Sequence, residues 1–275
     1  MMMTFTNRSK WRRLLLALLS VAAVVGCANF DGAIKPTDGY LSHQAIPNGF
    51  SVLPPPPVKG SAALKLDDEM ERKSFALKDT SRWFLAISDA DLTFPHAADT
   101  FSCALDIPIT KEDTPHLYML LRRTLTDLSL STSAAKYYYH RTRPFAQNKK
   151  PLCTPDEKAA LEKNGSYPSG HAAIGWGWAL ILSEISPEQT DAILARGRAF
   201  GESRIVCNVH WYSDVVQSRL IAAGTVARLH DDPAFLADLE AAKAELATVR
   251  NKGLKPARNC RAEEAALAIK PSVAQ

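Results

Sequence analysis

"GSYPSGHAAIGWGWAL", residues 165–180, carries the reading of the fold. The run continues as "AAIGWGWALILSEI" to Ile185 and is apolar on every face. That is too long for a strand and too uniform for a surface helix, so it predicts a central helix covered on all sides. Its start is built from small residues, with Ser169 and Gly170 just before His171. Helix starts leave backbone N–H groups unpaired at the positive end of the dipole, so this turn suits an anion. A titratable ring at such a place asks what it protonates.

The stretches on either side also read as helices. "LKLDDEMERKSFALKDTSRWFLAISDADL" (64–92) spaces apolar residues at helical intervals, and a further helix starts at Thr114 with Pro115 in its first turn. "SPEQTDAILARGRAFGESRIV" (186–206) opens with Ser186, Pro187 and Gln189, the pattern of a capping box. "HWYSDVVQSRLIAAGTVARLH" (210–230) supplies one more. Strand alternation is scarce. The expectation is all-α: a single helical-bundle domain over 61–250, followed by a tail over 251–275.

Ahead of it, 28–60 contains "LPPPPVKG" and reads as a Pro-rich extended linker. Residues 1–27 have a basic "NRSKWRR" and then "LLLALLSVAAVVGC", too short to span a bilayer and suited to a signal peptide. "VVGC" resembles the lipobox of bacterial lipoproteins, with Val24 where leucine is usual. We expect export to the periplasm with a lipid anchor at Cys27; cleavage after Ala28 is the alternative.

Four of the 33 basic residues (Arg8, Lys10, Arg12, Arg13) lie in that leader, which leaves 29 against 29 acidic residues. A balanced body argues against a nucleic-acid polymer as partner. Export permits disulfides among Cys103, Cys153, Cys207 and Cys260, in any of three full pairings. Cys207 can equally be a small buried hydrophobe. No cysteine or histidine spacing suits zinc, so no structural metal is expected.

Two more stretches carry charge. "KYYYHRTRPF" (136–145) sets Lys136 and Arg143 two helical turns apart, with the helix ending before Pro144. "SRIVCNVHWYSD" (203–214) holds Arg204, His210 and Asp214. The last two are i and i+4, neighbours on one helical face, and "CN" at 207–208 is expected to break the helix that carries Arg204. A carboxylate beside imidazole fixes its tautomer and frees the other nitrogen as a nucleophile. Taken singly, these features also fit a solvated face, an ordinary cap and a surface ion pair.

In order, Lys136 to Arg143-Pro144, Pro168-Ser169-Gly170-His171, and Ser203-Arg204 to His210 and Asp214 resemble the three-part signature of the type 2 phosphatidic acid phosphatase superfamily, shared with vanadium haloperoxidases. "DTPHLYMLLRRTLTDLSLST", "KNGSYPSGHAAIGW" and "GESRIVCNVHW" are similar to class A bacterial non-specific acid phosphatases, over roughly residues 61–235. Ala172 departs from their usual threonine. The resemblance implies catalytic His210, His171 and Asp214, with Lys136, Arg143, Ser169, Gly170 and Arg204 binding the phosphate. It also implies a metal-independent, cofactor-free acid phosphatase acting through a phosphohistidine on nucleotides, sugar phosphates and aryl phosphates, inhibited by vanadate, from a family whose members often form homodimers. A vanadium-dependent haloperoxidase or a non-catalytic phosphate-binding lipoprotein would use the same pocket.

Overall fold

The computed structural model describes residues 37–270, which fall in one compact unit. The signal segment, Cys27 and the start of the linker lie outside the described residues. The helices that position the site are α1 (Ala62–Phe75), α2 (Ser81–Ser88), α3 (Pro115–Leu130), α4 (Ser133–Tyr139), α5 (Gly170–Ile185), α6 (Thr190–Val206), α7 (Tyr212–Leu229), α8 (Pro233–Asn251) and α9 (Cys260–Ala268). The described residues contain no strand.

Helix α5 is the hub, packed by α3, α6, α7 and α8. Trp178 is fully buried and donates its indole N–H to Leu121 O (3.1 Å), with Phe94 and Phe101 edge-on to its ring. Glycines let α5 and α6 approach closely. A Cβ on Gly197 would lie 2.4 Å from Ala179 Cβ and 2.8 Å from Gly175 O.

Several local expectations change. Helix α4 stops at Tyr139, where His140 is left-handed (φ 42°), so Lys136 is helical while Arg143 sits in extended backbone ahead of Pro144. Helix α6 does end at Val206, with Asn208 at φ 60°. But α7 begins only at Tyr212, so His210 and Asp214 do not share a helical face. His210 lies in the connecting loop, whose Val209 and His210 N–H groups both return to Arg204 O (3.1 and 3.2 Å). Ser186 makes no backbone cap. Its hydroxyl donates to Gln189 Oε1 (2.7 Å), and a 3-10 turn, Pro187–Gln189, precedes α6.

The cysteines pair as Cys103–Cys260 and Cys153–Cys207, so Cys207 is cross-linked rather than a free hydrophobe. The segment read as an extended linker is, from Thr37 onward, held on the bundle. Tyr40 and Leu41 N–H donate to Asp127 (2.9 and 3.1 Å), and Leu53 is buried. An extended chain cannot satisfy its own amides, and Asp127 accepts them. The tail contributes α9, tied by Cys103–Cys260 and by Glu263 against Arg196 and Arg258.

Candidate active site

Three loops converge on the start of α5. Ser169 caps it, its Oγ accepting from Ala172 N–H (3.3 Å), which leaves the hydroxyl proton free to donate. The space beside Gly170 is open. A Cβ there would be 3.7 Å from Thr132 Oγ1 and 4.0 Å from Lys136 Cε, so no packing demands a glycine, and Lys136 stands next to the helix start. Lys136 Nζ donates to Gly165 O (3.1 Å).

His210 is buried and its tautomer can be read. Arg143 Nη1 donates to Nε2 (3.1 Å), so that nitrogen keeps its lone pair, while Nδ1 faces Asp214 Oδ2 at 3.4 Å. Asp214 is fully buried near the start of α7. Its Oδ2 accepts Trp211 N–H (2.8 Å) and its Oδ1 accepts Arg141 Nη1 (2.6 Å). Burial pushes the Asp214 carboxyl up, and Arg141 and the Trp211 N–H pull against it.

His171 is held differently. Its Nε2 lies 2.9 Å from Ala90 O, which makes Nε2 the donor and leaves Nδ1 free, and the ring stacks on Phe200. Both imidazoles are held well below the usual range, first by burial. For His171 the Arg204 charge adds to this and the Ala90 bond opposes it; His210 contributes as well. For His210 the further causes are Arg143, Lys136 and Arg204, opposed by a hydrogen bond to the Ser166 backbone carbonyl.

The cations also crowd one another. Burial, then Arg143 and Arg204, push Lys136 well down; burial and Arg204 bring Arg143 to about 10. Burial lowers Arg204 too, partly offset by Glu157 and Asp89. Such a group of buried, mutually repelling cations, only partly offset by Asp214, Glu157 and Asp89, calls for an anion. Their donors are not equally free. Arg143 spends Nε on Leu161 and Asn164 O, Nη1 on Val209 O and His210, and one Nη2 bond on Gly165 O. Arg204 is 1% exposed, and its Nε and Nη1 have no protein partner; Nη2 is 3.7 Å from Glu157.

Residues 115–233 match the PAP2 superfamily. The chain is 42% identical to a non-specific acid phosphatase of Providencia stuartii, over 86% of this chain and 98% of that one. It is 40% identical to an acid phosphatase of Zymomonas mobilis, over 81% and 83%. It is 41% identical to a non-specific acid phosphatase of Salmonella typhimurium, over 75% and 83%. The chain belongs to the PAP2 superfamily. Within it, the chain is a class A acid phosphatase, a phosphoric monoester hydrolase.

All eight residues named from the sequence lie around this one site in the acid phosphatase. Ala172 packs against Ile205 and Val215, and its N–H donates to Ser169 Oγ. Sequence reasoning missed Arg141, Asp67, Glu157 and the Ala90 carbonyl. Arg141 stands within the quoted "KYYYHRTRPF", but nothing in that run sets it apart from a surface cation. Ala90 acts through its backbone, which leaves no residue-type signal at all.

Proposed function

We propose that the enzyme hydrolyses phosphate monoesters broadly through a phosphohistidine on His210. The observation that carries this reading is the His210 tautomer, with an unprotonated Nε2 beside Arg143 and Nδ1 directed at Asp214. Nε2 attacks phosphorus in line as the ester P–O bond breaks, and the leaving alkoxide takes a proton from His171 Nδ1. A water then gives its proton to His171 while its oxygen displaces Nε2, releasing phosphate. Asp214 stabilises the charge that the phosphorylated ring carries.

Arg204 Nε and Nη1, Lys136, the last Arg143 N–H, the Ser169 hydroxyl and the Gly170 N–H are the donors for the three equatorial oxygens. Three fixed cations supply the neutralisation that a metal ion gives elsewhere, which supports metal-independent turnover. p-Nitrophenyl phosphate hydrolysis with and without a chelator tests this: the rate should be unchanged. Alkaline quenching during turnover should leave phosphate on His210 by mass spectrometry, and label on any other residue would reject the nucleophile. Vanadate, a tetrahedral oxyanion, should inhibit; vanadate-dependent bromide oxidation would reverse the reading. The leader supports a periplasmic enzyme anchored through lipidated Cys27, and palmitate labelling lost in Cys27→Ala tests that. A homodimer is also proposed, to be read from its mass in solution.

A further inference from the structure

Asp67 is fully buried in α1, outside the matched residues 115–233, and a carboxyl group in such a place needs partners. It accepts three bonds: Ser213 N–H at 2.7 Å, Ser213 Oγ at 2.7 Å and Arg141 Nη2 at 2.7 Å. Arg141 bridges onward, its Nη1 reaching Asp214 Oδ1 at 2.6 Å and Ser213 Oγ at 2.8 Å. One planar guanidinium therefore spans two buried carboxylates, a geometry that a lysine cannot copy.

Charge decides what this arrangement does. Arg141 alone would neutralise Asp214, and the imidazole would face a balanced ion pair when its positive charge develops. With Asp67 on the far side, Arg141 is shared between two carboxyl groups, so Asp214 is left with negative charge to set against His210. The Asp214 carboxylate is also fixed in direction, since one oxygen is held by Arg141 and the other by Trp211 N–H. Among the described residues, neither Asp67 nor Arg141 hydrogen-bonds to Lys136, Arg143 or Arg204; the pair touches Asp214 and not the cations of the pocket.

We propose that Asp67 and Arg141 are positioning residues for phosphoryl transfer, holding Asp214 in place and returning to it the negative charge that stabilises phosphorylated His210. This rests on His210 being the nucleophile.

The test is a single-turnover rapid quench into alkali on the full chain, comparing wild type with Asp67→Asn and Arg141→Lys. Asp67→Asn keeps shape and most hydrogen bonds but removes the charge; Arg141→Lys keeps the charge but loses the fork. Both should slow phosphoryl transfer to His210 by ~10- to 100-fold, the scale for partners one shell out. The inhibition constant of inorganic phosphate should stay close to wild type, while the melting temperature falls because a buried ion pair loses one partner. Transfer at the wild-type rate in either variant overturns the proposal. So does a loss of phosphate binding in step with the rate, which would mark a merely structural role. Absence of phosphate from His210 in the wild type is a separate result and sinks the nucleophile reading instead.

Discussion

The two arginines of the phosphate pocket make opposite use of the same side chain. Arg143 is a tie-rod: four backbone carbonyls from residues 161–165 and 209 converge on it, and its remaining reach goes to His210. Arg204 is as deeply buried, yet two of its nitrogens have no protein partner. The histidines divide in the same way, His210 engaged at both ring nitrogens and His171 at one. In the mechanism proposed above, the nucleophile is held in place until its Nε2 lone pair leaves the Arg143 N–H for phosphorus, and the acid keeps one free edge. So one wall is satisfied by the protein, and the other keeps the donors that the proposed function assigns to the substrate.

His210→Ala tests the held wall most severely, and turnover of p-nitrophenyl phosphate should fall at least ~10⁴-fold. Next come the arginines. Arg204→Ala should cost ~2–4 kcal/mol in kcat/KM, as for a lost oxyanion donor, with little loss of thermal stability. Arg143→Ala should reduce rate and stability together, since several buried carbonyls lose a charged donor at ~1–3 kcal/mol each. Equal melting temperatures for the two variants would break the contrast.

Away from the pocket, Gly197→Ala should destabilise by ~1–3 kcal/mol, because the new Cβ meets the Gly175 carbonyl. Unfolding in urea reads this, and unchanged phosphate inhibition shows that the site survives. The smallest effect is in pH. In the proposed mechanism His171 must be protonated to release the alkoxide, and burial and Arg204 hold its pKa down, so kcat/KM should fall as pH rises through the acid range. A bound phosphate raises that pKa, placing the kcat limb at higher pH. Coincident limbs would mean that the ring does not sense the substrate.

Much of this was legible in the chain. The apolar run from Ala172 announced a buried hub because no exposed helix tolerates such a surface, and Asn208 marked the break after α6. The helix through His210 misled, since i and i+4 spacing is compatible with a loop that closes onto the next helix. Asp67 resembled any acid on an amphipathic helix.

Residue chemistry by itself determined which side chains could do the work: two imidazoles, three cations, a carboxylate and a capped helix start, in a spacing that side-chain type alone can encode. Only the tertiary structure decided how those groups are set against one another. Disulfide partners, the Ala90 carbonyl on His171 and the Asp67–Arg141 brace all join segments far apart in the chain. Backbone atoms are alike at every residue and a buried charge is spelled like an exposed one, so three-dimensional contact was what told them apart.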